Sequence, residues 1–148
     1  MIESVDSHGL PMHSSLTTLD AAARQRLQSA RVLLVGVGGL GSPAALHLAA
    51  AGVGSIVLVD DDRVDESNLQ RQVIFETADV GRPKVEAAAA RLRARHPDLR
   101  IEPIACRLDE TNARPLVAGV DIVVDGADNF ATRYLVNDAC VLERRPNV

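Results

Sequence analysis

The sequence predicts an α/β fold of the Rossmann-like, doubly wound type, with a mainly parallel sheet of about four strands and helices on both faces. Short apolar runs alternate with Ala- and Leu-rich segments of helical length, which is typical of strand–helix–strand units. A glycine-rich loop directly follows the first of these runs. Of the 148 residues, 47% are hydrophobic but only 2% are aromatic. Val, Leu, Ile and Ala must therefore build the core, as in buried parallel sheets.

The helices are predicted from apolar periodicity and from residues that favour helix starts. Residues 1–18 mix polar residues with glycine and proline, so we predict a flexible arm there and a single domain over residues 19–148. Asp20 is placed to cap the first helix. Pro43 fits the first turn of the second helix, where its missing N–H costs no hydrogen bond. The predicted helices are 20–29, 42–51, 83–95, 112–117 and 131–143.

The strands are predicted from short apolar runs that stop at glycine or at polar residues. The third run alternates and is less apolar, so we place it nearer an edge of the sheet. The fourth is apolar, and we expect its far side to pair with another chain, giving dimers or poor solubility. Residues 63–80 are too long for a plain connection, so we expect a functional loop there. The predicted strands are 32–35, 55–59, 99–105 and 121–125.

Charge and cysteine content exclude several classes of protein. The net charge of −4 gives no field that would recruit nucleic acid or an acidic membrane surface. Two cysteines without a CxxC pair offer neither a disulfide framework nor a zinc site, and Cys140 is predicted to lie in a helix core. The N-terminus does not read as a secretion signal, and no run is long enough to span a membrane. We therefore expect a reduced, cytoplasmic protein with no nucleic-acid or membrane partner.

A glycine loop and an acidic strand end indicate a nucleotide site. Gly36, Gly38 and Gly41 have the G-x-G-x-x-G spacing between a strand and a helix. Glycine lets backbone N–H groups approach phosphate oxygens, and the helix N-terminus adds positive potential. Asp60 ends the second strand, where it is placed to accept from ribose hydroxyls. NAD proteins use the same device, so the choice of nucleotide stays open at this point.

Two further features favour a ligand with several negative charges. The segment 67–72, Ser-Asn-Leu-Gln-Arg-Gln, supplies more hydrogen-bond donors than a nicotinamide site needs. Lys84 is the single lysine in a chain with fifteen arginines. A compact ammonium suits a phosphate group as a point charge, so we assign Lys84 to phosphate binding.

Carboxylates after the fourth strand indicate a cation site. Asp125 and Asp128 lie at the carboxyl end of that strand, where ligands bind in such sheets. Magnesium takes one or two carboxylates together with phosphate oxygens and water. Asp128 is the better magnesium ligand because it lies past the strand end, whereas Asp125 caps the turn or orients the site. Asn129 is predicted to cap the next helix.

Five motifs in order resemble a known family. They are Gly-x-Gly-Gly-x-Gly-Ser, a strand ending in Asp, Ser-Asn-Leu-Gln-Arg-Gln, Val-Gly-Arg-Pro-Lys-Val-Glu and Asp-Gly-Ala-Asp-Asn-Phe-x-x-Arg-Tyr. Together they resemble the ThiF/MoeB/HesA group, relatives of the ubiquitin-activating enzymes, over residues 27–148. The resemblance implies that Gly39 and its loop hold the triphosphate of ATP, that Asp60 binds ribose and that Asp128 serves Mg²⁺. It also implies phosphate contacts from Asn68, Arg71, Gln72 and Lys84. Of these residues, Arg71, Lys84 and Asp128 are assigned catalytic roles, and Asn129 is included in the cofactor site.

The resemblance also implies a reaction. Members adenylate the C-terminal glycine of a ubiquitin-like sulfur-carrier protein in thiamine or molybdenum-cofactor synthesis, usually as homodimers. Family members carry an arginine before the first helix that reaches the neighbouring subunit's ATP, and here that region reads Pro-Met-His-Ser-Ser at 11–15. We expect this chain to be the nucleotide-binding half, without the family's zinc-binding cysteine pairs. The alternatives are an NAD-binding oxidoreductase domain and a non-catalytic nucleotide-binding fragment.

Overall fold

The computed structural model describes residues 19–148, so the predicted arm, 1–18, lies outside the described residues. The α/β prediction is confirmed, and each predicted helix and strand is present with its ends within one residue. None of the helices in residues 19–148 is both long and apolar enough to cross a bilayer. The helices are α1 Ala21–Ser29, α2 Gly41–Ala50, α3 Lys84–Arg95, α4 Ala113–Ala118 and α5 Phe130–Glu143, and the strands are β1 Arg31–Val35, β2 Ser55–Val59, β3 Arg100–Ile104 and β4 Ile122–Asp125.

The sheet is parallel throughout, with strand order β3-β2-β1-β4. The third strand lies at an edge, as predicted. Val35 at the end of β1 pairs with Val59 of β2 on one side and with Asp125 of β4 on the other. The chain therefore builds outward from β1 to β3 and then returns to the other side of β1. Such a reversal opens a crevice at the carboxyl ends of the strands, between β1 and β4.

Alternate residues of β1 and β2 belong to two separate apolar clusters, one on each face of the sheet. Leu34 and Leu58 pack with α2 and α3, whereas Val35 and Val59 pack with α4 and α5. This is the period of two expected when side chains of a strand point to opposite faces. Alanines 87–89 of α3 are completely buried, so this helix approaches the sheet closely.

The segment between β2 and α3 folds into an ordered loop with two short 3-10 turns, Glu66–Asn68 and Thr77–Asp79. Its two ends pair with each other. The Val64 N–H donates to the Arg82 carbonyl at 2.9 Å, and the Gly81 N–H donates to the Val64 carbonyl at 2.8 Å. This pairing brings the start of α3 against the carboxyl end of β2.

The prediction that the far side of β4 is an unpaired edge is wrong. After α5 the chain returns beside β4, and residues 146–148 run parallel to it. Val123 and Asp125 donate their N–H groups to the carbonyls of Pro146 and Val148 at 3.0 and 2.8 Å, and the Val148 N–H donates to the Val123 carbonyl at 3.0 Å. These bonds occupy the backbone groups that pairing with another chain would require.

Candidate functional site

An open cleft of about 790 Å³ lies at the carboxyl ends of the four strands. The loops after these strands, including the segment that leads into α3, form its walls. Every predicted site residue except Gly41 lines this cleft: Gly36, Gly38, Gly39, Asp60, Asn68, Arg71, Gln72, Lys84, Asp128 and Asn129. The sequence motifs, which are spread over more than ninety positions, thus meet in one place.

The first and last glycines of the loop are required by the fold itself. Gly36 has a φ of +83°, and a Cβ there would lie 2.9 Å from the Gly126 carbonyl oxygen. A Cβ on Gly41 would lie 1.9 Å from the Gly36 carbonyl oxygen, so only glycine lets α2 begin this close to the loop. Gly41 therefore acts in packing, and its part in nucleotide binding stays a prediction.

The two middle glycines face the cleft without such constraints. A Cβ on Gly38 would meet nothing nearer than the Gln72 side chain at 3.8 Å, and one on Gly39 nothing nearer than the Arg71 side chain at 3.8 Å. Neither residue has a positive φ. No atom of residues 19–148 demands glycine at these two positions, both of which line the cleft. This bare backbone suits the close approach of a phosphate group.

Asp60 ties the glycine loop to the end of β2. Its Oδ2 accepts from the Val37 N–H at 2.7 Å, and its Oδ1 accepts from the Asp62 N–H at 2.8 Å. A carboxylate has about four acceptor sites, so both oxygens can still accept from a ligand hydroxyl. The residue predicted to bind ribose thus also orients the loop.

Donors of the 66–72 segment form one wall of the cleft. The N–H groups of Arg71 and Gln72 both donate to the Asn68 carbonyl, at 3.1 and 3.0 Å, so the three residues share one compact turn. Arg71 is exposed and lies over Gly39. Gln72 is only 4% exposed, and its Oε1 is buried without a partner among the described residues. Its amide nitrogen Nε2 lies 3.8 Å from where a Cβ on Gly38 would be, so Gln72 has a donor on the side of the glycine loop.

Lys84 is buried, with 5% of its surface exposed. Its Nζ donates to Asp62 Oδ2 at 2.7 Å, and its backbone N–H donates to the Asp62 carbonyl at 2.9 Å. The single lysine therefore lines the predicted cleft, but it is paired with a carboxylate that sequence reasoning did not single out.

The residues after β4 divide between structural and cleft-facing roles. Asp125 Oδ1 accepts from the Ala127 N–H at 2.9 Å, which confirms its predicted role in the turn. Asn129 Oδ1 accepts from the Thr132 N–H at 2.9 Å and caps α5, as predicted. Asp128 is exposed and lines the cleft, so its carboxylate faces the space where a ligand would lie.

Sequence reasoning missed the cleft wall after β3. Cys106, Arg107 and Leu108 line the cleft, and their place at the carboxyl end of a parallel strand was the signal that could have identified them. Burial and the nearby carboxylates of Asp109 and Asp61 raise the pKa of the Cys106 thiol above its ordinary value. This thiol is therefore poorly suited to act as a nucleophile at neutral pH.

The described cleft residues carry more negative than positive charge. The carboxylates are Asp60, Asp61, Asp62 and Asp128, and the cations are Arg71, Lys84 and Arg107. The three consecutive aspartates place carboxylate oxygens within 4.8 Å of one another. Because these cations cannot by themselves neutralise a triphosphate, a nucleotide would have to bring a cation with it.

Residues 12–148 of the sequence match the ThiF family. The chain belongs to the ThiF family. The match extends from ahead of α1 through all the loops that line the cleft.

Members with curated names share the same segment. The SAMP-activating enzyme E1 of Haloferax volcanii is 50% identical over 151 residues, covering 100% of this chain and 56% of that protein. The sulfur carrier protein ThiS adenylyltransferase of Escherichia coli is 47% identical over 123 residues, covering 83% of this chain and 49% of that protein. The chain thus spans about half the length of these two ThiF-family relatives.

Solved structures show the same fold. The E. coli tRNA N6-threonylcarbamoyladenosine dehydratase TcdA, crystallised in complex with ATP, aligns with a TM-score of 0.82 at 30% identity. The alignment covers 86% of this chain and 53% of that one. A protein of the same fold therefore binds ATP.

Proposed function

We propose that this chain binds ATP in the cleft and forms the nucleotide-binding part of an adenylyltransferase that activates the C-terminus of a ubiquitin-like sulfur-carrier protein. The observation that carries the proposal is that Arg71, Lys84 and Asp128 line the same cleft as the glycine loop. Relatives named as sulfur-carrier adenylyltransferases support this substrate class. The chain spans about half the length of such relatives. Adenylylation of the carrier by the whole protein is therefore proposed here.

Each wall of the cleft has a proposed role in holding ATP. The bare backbone at Gly38 and Gly39, with the N-terminus of α2, receives phosphate oxygens. Asp60 accepts from the ribose hydroxyls. The bare glycines, with the Gln72 Nε2 beside Gly38, are the structural features that fit a phosphate group. The remaining phosphate contacts are assigned to Asn68, Arg71, Gln72 and Lys84, and Asn129 is placed beside them as part of the same wall.

Asp128 is the proposed magnesium ligand. Four carboxylates against three cations leave the cleft unable to neutralise a triphosphate alone. Magnesium commonly binds through one or two carboxylates together with substrate phosphates. Asp128 is exposed at the cleft, whereas Asp125 is held in its turn, so Asp128 is the carboxylate of this loop that is free to serve the metal, which would supply positive charge against the phosphates.

The proposed reaction is attack by the carrier's terminal carboxylate on the α-phosphorus of ATP. A bond forms between a carboxylate oxygen and phosphorus, the bond to the bridging oxygen breaks, and pyrophosphate leaves. A terminal carboxyl with a pKa of about 3.3–3.7 is already ionised at neutral pH, so no general base is needed. Arg71 and Lys84 would then act by placement and by opposing the phosphate charge.

Nucleotide titrations followed by pyrophosphate exchange test the proposal. We expect the protein to bind ATP with Mg²⁺ more tightly than NADH, and to exchange labelled pyrophosphate into ATP only with a sulfur-carrier protein present. A carrier that lacks its C-terminal glycine is the matched control and should not support exchange. Tighter NADH binding would favour an oxidoreductase domain. ATP binding without exchange would favour a non-catalytic nucleotide-binding fragment.

We also propose a cellular location and an oligomeric state for the protein. We place the protein in the cytoplasm, since Cys106 and Cys140 are both free thiols, and we expect a homodimer. Exposed apolar side chains on α5, among them Phe130 and Tyr134, support self-association. Sedimentation across a range of concentrations tests this assembly, and a monomer at all concentrations would contradict it.

A further inference from the structure

The ion pair between Lys84 and Asp62 joins two residues with very different freedom to move. Lys84 has 6% of its side chain exposed, whereas Asp62 has 67% exposed. Lys84 is also held by its backbone, because its N–H bonds to the Asp62 carbonyl and it begins α3 directly after Pro83. Asp62 is therefore the partner that can swing away while the ammonium stays in place.

A buried ammonium needs a partner whether or not a ligand is bound. An unpaired buried charge is strongly destabilising, and Asp62 supplies the counter-charge of Lys84. Asp60 does not take this place among the described residues: it accepts from the N–H groups of Val37 and Asp62, and Lys84 bonds Asp62. Among the described carboxylates of the cleft, Asp62 is the one bonded to Lys84.

We propose that Asp62 is an exchangeable counter-ion that competes with phosphate for Lys84 and so weakens the binding of ATP and pyrophosphate. This inference rests on the proposed function, because it takes a phosphate of ATP as the ligand of Lys84. When phosphate binds, the ammonium exchanges Asp62 for a phosphate oxygen and Asp62 turns to solvent. When pyrophosphate leaves, Asp62 returns to the ammonium, so the buried charge is paired at every stage and release is faster.

Calorimetric titration of the 148-residue chain with ATP and with inorganic pyrophosphate tests the exchange. Asp62→Asn keeps the size of the side chain and removes the competing charge. We expect it to tighten both ligands by about tenfold, the range for a hydrogen bond between charged groups. Asp61→Asn is the matched control: Asp61 lines the same cleft with the same charge but does not bond Lys84. We expect Asp61→Asn to tighten both ligands only about twofold, because it removes a nearby negative charge without freeing Lys84.

A double-mutant cycle separates competition for Lys84 from other roles of Asp62. In a Lys84→Met background, Asp62→Asn should have no more effect than Asp61→Asn, since the contested ammonium is gone. ATP titrations in the presence of EDTA and in the presence of Mg²⁺ should both show tighter binding by Asp62→Asn than by the unaltered protein. Weaker ATP binding by Asp62→Asn would overturn the inference, because it would make Asp62 a holder of Lys84 or a metal ligand. If Asp62→Asn and Asp61→Asn change ligand affinity equally in the protein that retains Lys84, the inference is also overturned.

The two proposals fail in different ways. If the unaltered protein binds neither ATP nor pyrophosphate, the proposed function is rejected. If it binds ATP but Asp62→Asn and Asp61→Asn have the same affinity for ATP and pyrophosphate, only the counter-ion role of Asp62 is rejected. Thermal denaturation of the ligand-free variants gives an independent check, since Asp62→Asn should lower the melting temperature more than Asp61→Asn.

Discussion

The carboxylate of Asp79 is 2% exposed, and its Oδ2 accepts from Arg91 Nη2 at 2.8 Å and from Nε at 3.0 Å. The Arg82 guanidinium donates to the other oxygen at 2.9 Å, and Arg91 also pairs with Glu76. Asp79 ends the second 3-10 turn of the 63–80 segment, and Arg91 lies on α3. The pair therefore fastens the segment that carries Arg71 and Gln72 to the helix that begins with Lys84.

This pair should make folding stability depend on pH at the acid end. Burial would raise the pKa of Asp79, but the Glu76 N–H and the guanidinium groups of Arg91 and Arg82 hold it below its ordinary value. A carboxyl whose pKa is lower in the folded state stabilises fully above its unfolded pKa of about 3.9. That stabilisation is lost as the pH falls through the folded pKa.

Asp79→Asn is therefore expected to lower the free energy of unfolding at pH 7 by about 1.5–3 kcal/mol, because it removes the charged acceptor of the hydrogen bonds from Arg91 and Arg82, although Arg91 keeps Glu76 as an ion-pair partner. Urea denaturation at pH 7 and at pH 3 measures it, and the loss should shrink at the lower pH. Asp98→Asn, at an exposed turn, is the control and should change stability by less than about 0.5 kcal/mol. Equal stabilities of the two variants at pH 7 would contradict the role of the pair.

The fold was predictable because its local and long-range signals agree. Short Val- and Leu-rich runs such as 55–59 are typical of strands buried on both faces of a parallel sheet, and Asp20 and Asn129 cap their helices as their residue types suggest. The edge of β4 was not predictable, because nothing in the composition of residues 146–148 marks them as partners of Val123. This pairing depends on the position of the C-terminal end of α5, which determines where residues 146–148 lie.

Much of the site was predictable because parallel strands bring their carboxyl ends together. That rule placed Asp60 and Asp128 in one cleft. Lys84 was predicted to be functional because it is the single lysine in the sequence. Two features escaped it. The partner of Lys84 is one of three consecutive aspartates, and sequence alone gives no reason to choose Asp62. Gly41 has the spacing of a ligand-binding glycine, and a Cβ there would clash with the Gly36 carbonyl, so it also has a packing role that spacing alone does not show.

Two glycines of one loop should respond differently to the same substitution. Gly36→Ala forces a residue with a side chain into a φ of +83° and against the Gly126 carbonyl, so we expect a loss of about 1–3 kcal/mol in unfolding free energy. Gly39→Ala should leave stability within about 0.5 kcal/mol and yet weaken ATP binding by at least about tenfold. Denaturation and ATP titration of both variants measure these effects. Normal ATP binding by Gly39→Ala would reject its place in the phosphate site.

The cations of the cleft should matter for turnover more than for folding. Arg71→Ala and Lys84→Ala each remove one positive charge that faces the proposed phosphates, and we expect pyrophosphate exchange to fall on the order of 10²–10³-fold, by analogy with the loss of one oxyanion donor. Arg95→Ala, in the last turn of the helix that Lys84 begins, is the control. Exchange at the normal rate by Lys84→Ala would discard its catalytic assignment.

Cys106 offers a chemical reporter of the same cleft. Burial and the carboxylates of Asp109 and Asp61 raise the pKa of this thiol, and alkylation requires the thiolate. Iodoacetamide should therefore react more slowly than with glutathione at pH 7.5, and the rate should keep rising above pH 9. Because Cys106 lines the cleft, saturating ATP should slow the reaction further. Cys106→Ser should abolish labelling in the folded protein, since Cys140 is 3% exposed; labelling that ATP does not slow would argue against nucleotide in this cleft.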